Sequence, residues 1–180
     1  MTDISPKAAL ELNQKLSLLS DSDDVHGTIY DLIEQSGFFS DLDQDEIAML
    51  AVWIKAFNAP TGTMVLKEGD EKASLCIIVD GDVSIFKETS YDEHIKIAEI
   101  SSGASIGEMS VIDGQPLSAS AVTSRDSVVL LMSPHDFNNL MVKNSNLGVK
   151  ILMTLARLIS LRLRNTSRRL ADSLSAKAKT

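Results

Sequence analysis

The spacing of apolar residues changes period twice along this chain. Residues 6–36 carry a helical repeat that predicts two helices, Lys7 to Leu18 and Val25 to Gln35. The acidic, serine-rich segment Ser20-Asp21-Ser22-Asp23-Asp24 separates them and offers N-cap side chains to the second. Phe38 and Phe39 lead to Asp41, after which Ile47, Leu50, Ala51 and Ile54 recur on one helical face. That spacing predicts a helix from Asp43 to Phe57 that packs against the strand-forming region after it. From Pro60 to Met132 the period shifts toward two, and glycines punctuate the chain at Gly62, Gly69, Gly81, Gly103, Gly107 and Gly114. The pattern predicts short strands joined by tight turns, as in an antiparallel barrel or jelly roll. Within it, Asp80-Gly81 lies between Ile77-Ile78-Val79 and Val83-Ser84-Ile85, which predicts a β-hairpin over Leu75 to Lys87.

The helical period returns after Met132. Ser133-Pro134-His135-Asp136 combines a capping serine, a proline at the first helical position and an acid in the first turn. Asn144 to Asn146 interrupt this helix, and a long helix begins at about Gly148. Its residues Leu152, Ala156, Ile159, Leu163, Thr166 and Leu170 are spaced 4, 3, 4, 3 and 4 apart, the repeat of a coiled-coil seam. Such a seam is either buried against its own domain or paired with the same helix of a second copy.

Composition narrows the function classes. At 180 residues, 44% apolar and 23% charged, the chain is expected to form one domain with extensions. No apolar run reaches the roughly 18–20 residues of a membrane span, and Met1-Thr2-Asp3-Ile4-Ser5 has no signal-peptide character, so a cytoplasmic protein without membrane contact is expected. The lone cysteine, Cys76, lies in an apolar run with no flanking cation and reads as strand packing. His26, His94 and His135 are scattered, with no Cys or carboxylate at metal-ligand spacing, so no metal site is expected. There is no nucleophile elbow and no Gly-Lys-Ser/Thr phosphate loop, and no enzyme is expected. The net charge of −8 is uneven: Gly148 to Thr180 holds eight Lys and Arg against Asp172, a local +7 that leaves −15 on the rest. That basic face is read as solvated and balanced by Asp41, Asp43, Asp45 and Glu46, with weak nucleic-acid binding as the alternative.

The chemistry concentrates in Ile106 to Val122. The stretch holds a Gly107-Glu108 pair and the small, polar run Ser118-Ala119-Ser120. This stretch resembles the phosphate-binding cassette of cyclic nucleotide-binding domains, of the catabolite-activator-like and cyclic-AMP-dependent regulatory kinds. Leu117 stands where the family carries an arginine. Lys67-Glu68-Gly69-Asp70 and the runs after it resemble the family's early strands, so the resemblance covers roughly Phe38 to Leu170.

The resemblance implies a mainly β fold, an antiparallel β-roll with flanking helices and a long C-terminal helix. It implies the roll over 38–146 and a dimerisation helix over 147–172, and the residue pattern outside it adds a helical extension over 1–37 and a flexible tail over 173–180. Ligand-binding residues implied by it are Gly107, Glu108, Met109, Ser110, Leu117 and Ser118. Backbone N–H groups after Gly107 would face a cyclic phosphate, Glu108 would accept a bond from the ribose 2′-hydroxyl, and Ser118 would offer its hydroxyl to the phosphate. Thr166 and Ser167 resemble a Thr-Ser pair that reaches the purine from the long helix.

No tightly bound cofactor is implied; the ligand would be a cyclic nucleotide, cyclic AMP or cyclic GMP. Leu117 cannot supply the arginine's charge-assisted bond, about 1.5–3 kcal/mol, so cyclic-phosphate binding should weaken by at least roughly tens-fold. Arg125, Arg162 and Arg168 are candidate replacements. Three functions fit the sequence: a sensor that passes ligand binding through the long helix to an unknown effector protein, a ligand-independent homodimeric interaction module, and a weak nucleic-acid binder. Direct DNA reading is not expected, because no helix-turn-helix comes after the long helix within the 180 residues.

Overall fold

The structure, a computed structural model, describes residues 16–19, 25–72, 74–91 and 93–177. Its elements are β1 (Ser17–Leu18), α1 (Val25–Ser36), α2 (Gln44–Ala51), β2 (Lys55–Ala59), β3 (Met64–Leu66), β4 (Leu75–Asp80), β5 (Asp82–Glu88), β6 (His94–Ser101), β7 (Ser105–Ile106), α3 (Glu108–Asp113), β8 (Ser120–Thr123), β9 (Ser127–Met132), α4 (Pro134–Lys143) and α5 (Ser145–Lys177). The strands form two antiparallel sheets, one ordered β1-β2-β9-β4-β7 and the other β3-β8-β5-β6. Together with the flanking helices and the long C-terminal helix, this is the mainly β architecture the sequence implies. No closed barrel forms among the described residues, because the sheets remain separate.

Strand β4 is buried on both faces except at Asp80. Leu75, Ile77 and Val79 face a core built with Leu130, Met132 and the helices, while Cys76 and Ile78 face a second core shared with Val83 and Ala121 of the other sheet and with Leu117 of the loop before β8. Alternation along one strand therefore feeds two cores. Cys76 is fully enclosed and burial pushes its thiol pKa up, the strand-packing role its sequence context predicts.

Several local expectations change. The helix expected over Lys7 to Leu18 falls mostly outside the described residues, and its last two residues form β1, paired with β2. The helix expected from Asp43 to Phe57 stops at Ala51. Its start is well made, with Asp43 accepting from Glu46 N–H at 2.9 Å and Glu46 accepting from Asp43 N–H at 3.1 Å. Its end is set by the period: Ile54, Ala56 and Ala59 are buried while Lys55 and Asn58 are exposed, a strand pattern paired with β9. Ile54 fits both periods, which is why the helical reading overran.

The hairpin expected over Leu75 to Lys87 is also not formed. The Asp80-Gly81 turn is present, but β4 pairs with β7 and β9 while β5 pairs with β6 and β8, so the chain crosses between sheets there. Gly81 is required at this corner: its φ is 106°, and a Cβ would lie 1.9 Å from Ser127 Oγ. Arg125 closes the same corner on Asp80 at 3.2 Å and Asp82 at 2.6 Å.

Ser133 caps α4 by accepting from Asp136 N–H at 3.1 Å, with Pro134 in the first turn. Only Asn144 interrupts the helices, so α5 begins at Ser145, and it continues past residue 172 to Lys177. Leu147, Ile151 and Leu155 bury the first turns of α5 in the helix-side core. Lys150 pairs with Glu46 at 2.6 Å and Arg157 with Asp41 at 3.0 Å, so acidic neighbours do balance part of the basic helix. The Glu46 hydrogen bond raises the Lys150 pKa. These pairs are exposed and add little stability. From Leu163 to Ser175 every residue of α5 is exposed. No helix among the described residues is long and apolar enough to cross a membrane.

The enclosed methyls of Leu155 anchor α5 to the roll, so Leu155→Ala should lower unfolding free energy by about 2–5 kcal/mol in urea titration. Val142→Ala, on the exposed face of α4, should change it by no more than about 0.5 kcal/mol.

Candidate functional site

The loop from β7 to β8 is held at both ends. At its start, Gly107 adopts φ 80°, and a Cβ there would lie 2.4 Å from the Ser74 carbonyl oxygen, so the chain passes Ser74 too closely for any side chain. This turn aims the first residues of α3 into the space between the sheets, and the first N–H groups of a helix have no intrahelical acceptors. At its far end, Leu117 N–H donates to Asp70 O at 3.0 Å and Gly69 N–H donates to Leu117 O at 2.9 Å. Ser120 Oγ accepts from Glu68 N–H at 2.9 Å. The Lys67-Glu68-Gly69-Asp70 turn thus fixes the second half of the loop.

The loop forms one side of a cavity of about 230 Å³. Gly107, Glu108, Met109, Ser110, Leu117 and Ser118 all line it. Leu66, Ile85, Ile97, Ala98 and Ile100 supply the opposite, apolar wall. Leu117 is 7% exposed and packs in the inter-sheet core, so its side chain is both core and cavity wall. Met109 and Ser118 sit at the open rim and Ser110 is buried.

Glu108 is the only carboxylate in the lining among the described residues and is 4% exposed. Its Oε1 accepts a hydrogen bond from Arg162 Nη1, and Arg162 Nη2 donates to the Ser105 carbonyl. Glu108 Oε2 is buried with no partner among the described residues. An unsatisfied carboxylate oxygen at that depth costs about 1–3 kcal/mol or more, so the site holds an open acceptor.

Arg162 is the sole cation in the lining among the described residues. It comes from α5, where Ile151, Leu155, Leu158 and Arg162 recur at spacings of 4, 3 and 4 on the roll-facing stripe. It is also the last residue of α5, up to Ser175, that is not exposed, so the helix leaves the roll where Arg162 enters the site. Of the other candidate cations, Arg125 belongs to the Asp80-Gly81 corner and Arg168 is exposed. Lys87 reaches the cassette from outside, donating to Ser118 O at 2.8 Å and pairing with Glu68, but it does not line the cavity.

Thr166 and Ser167 are exposed on α5 beyond Arg162 and do not line the cavity of this single chain. The apolar wall had no signal beyond strand alternation. Arg162 did have one, as a charged residue in register with buried positions of the long helix. No group of three or more His, Cys, Asp or Glu suited to a metal ion occurs among the described residues.

The sequence pattern of the family described as "Cyclic nucleotide-binding domain" matches residues 57–144. A crystallised cyclic nucleotide-binding domain from Methylobacillus flagellatus is 30% identical, with 88% of this chain and 89% of that one covered and a TM-score of 0.75. The catabolite activator protein of Thermus thermophilus is 27% identical, with 77% of this chain and 62% of that one covered and a TM-score of 0.65. A cAMP-activated global transcriptional regulator of Mycobacterium tuberculosis is 25% identical over 79% of this chain, which spans 62% of that protein's length. Match and fold agree with the cassette geometry, and the chain belongs to the cyclic nucleotide-binding domain family.

Proposed function

We propose that this chain is a non-catalytic regulatory domain whose β-roll cavity takes a ligand of the nucleotide type and reports it through α5 to an effector protein. The observation that carries this reading is Glu108: a buried carboxylate in a cavity wall, with one oxygen open and the other bound to the long helix through Arg162. A ligand hydroxyl that donates to Glu108 alters the partner of Arg162, and with it the point where α5 leaves the roll. The difference in contacts between the two states is what couples site to helix. Action in the cytoplasm, on a protein target and not directly on DNA, is part of this proposal.

Cyclic AMP and cyclic GMP, the ligands the family resemblance implies, meet Leu117 where a cation is wanted. Their affinity should therefore rise when the cation is supplied. In calorimetric titration, Leu117→Arg should bind cyclic AMP at least roughly tens-fold more tightly than wild type, and Glu108→Gln in that background should lose the gain. No heat from any nucleotide or nucleoside in either wild type or Leu117→Arg overturns the ligand-binding reading. A ligand-independent interaction module is the second reading, favoured by the bond Arg162 already makes to Glu108. The two separate by amide hydrogen exchange in α5, which changes on ligand addition for a sensor and stays constant for the module.

The exposed seam supports a homodimer as the working form. Leu163 and Leu170 are 65% and 58% exposed, while the roll-facing stripe is a different one. Sedimentation of wild type should give a dimer, and Leu163→Glu with Leu170→Glu should give a folded monomer by circular dichroism. A monomeric wild type would sink the dimer proposal.

A further inference from the structure

We infer that the cavity takes an uncharged ribonucleoside, not a cyclic nucleotide. The inference rests on the reading of the cavity as a nucleotide-type ligand site and assigns the charge class of its occupant.

Charge balance comes first. The two charged residues in the lining are Glu108 and Arg162, and they neutralise each other. The second Arg162 nitrogen bonded in the structure is taken by the Ser105 carbonyl. Lys87, outside the lining, is bonded to Glu68 and the Ser118 carbonyl. An anionic phosphate entering here would be desolvated against Leu117 and would add a negative charge to a lining whose two charges already balance. Burying an unpaired charge costs far more than burying a hydroxyl.

Leu117 is also not poised to move aside. Its backbone is bonded on both sides to the Gly69-Asp70 turn and its side chain packs with Leu66, Ile106 and Ala121 in the inter-sheet core. The side chain that would face a phosphate at position 117 is therefore apolar and held by the core, which leaves only backbone N–H groups of α3 to meet an anion there.

What the cavity does want is a donor. Glu108 Oε2 is buried and open, which suits a ribose hydroxyl, and Ser110 and Ser118 can bond further polar atoms. Ile85, Ile97, Ile100 and Met109 offer apolar surface for a base. At about 230 Å³ the space is smaller than the roughly 300–1,000 Å³ of drug-sized pockets, and a nucleoside is a cyclic nucleotide without its phosphate. Size, charge and the open acceptor agree on that class.

The test is calorimetric titration of ligand-stripped full-length protein with adenosine, guanosine, inosine, cytidine and uridine, beside their 2′-deoxy forms, cyclic AMP and cyclic GMP. The same titrations are run on Leu117→Arg and, because that change enters the core, on Ser118→Arg at the exposed rim. The expected result is that wild type binds at least one ribonucleoside roughly tenfold or more tightly than either cyclic nucleotide, and that its 2′-deoxy form is weaker by a similar factor. Wild type that binds a cyclic nucleotide as tightly as any nucleoside overturns the inference. Wild type silent to nucleosides, with either Arg variant binding a cyclic nucleotide, overturns it too while leaving the cavity a ligand site. Silence in all three proteins overturns both the inference and the function proposed above.

Discussion

Strand β4, enclosed on both faces, is the constraint on which the rest of this structure depends. Residues of opposite parity on it need separate cores, so helices must cover one face and a second sheet the other. The chain meets that need by crossing between sheets at Asp80-Gly81, immediately after β4. The cavity is the margin of the inter-sheet core: Leu66, Ile106, Leu117 and Ala121 belong to both. A substitution at position 117 is therefore a choice between finishing that core and charging the site. Leucine finishes the core and puts no charge into the site.

Glu108 is paired from elsewhere in the chain. With no cation at 117, the charge that answers its carboxylate arrives from α5, on an arginine 54 residues away in sequence. The roll-facing stripe of α5 is held by apolar contacts at Leu147, Ile151 and Leu155, which do not respond to a polar ligand. Arg162, further along the same stripe, is held instead by a carboxylate with an open oxygen. The cavity wall and the attachment of the helix thus share one ion pair.

The parts of this arrangement visible in sequence were those that lie close together along the chain. Gly107 to Ser110 with Leu117 and Ser118 form a local turn-helix-turn, and all six line the cavity as the cassette implies. Strand content came from period and glycine spacing, and the Ser133 cap from local chemistry. What alternation does not carry is the identity of a strand's partner, so Asp80-Gly81 read as a hairpin although its strands belong to different sheets. Ile54 sits at a position common to the helical and strand periods, and the helix over α2 was drawn too long for that reason. Arg162 was visible as a candidate cation, but its contact with Glu108 depends on how α5 docks. Thr166 and Ser167 lie outside the cavity of one chain, and their part in a site depends on what covers the seam.

The seam itself is a physical demand. Beyond Arg162, α5 runs exposed through Ser175, with Leu163, Leu170 and Leu174 each more than half exposed. Isolated helices of fewer than about 12–15 residues are marginal in water, and most helical stability in proteins comes from packing an apolar face. A stretch of this length that has left its own roll needs another surface, and each leucine fully buried on one would gain about 1.5–3 kcal/mol. Leu163 comes directly after Arg162 and Thr166 lies one turn on, so the residue that pairs with Glu108 and the first residues of the exposed face are joined by the same helical turns. Were Arg162 held differently, that face would be re-aimed, and a partner fixing the face would by linkage bias how Arg162 is held.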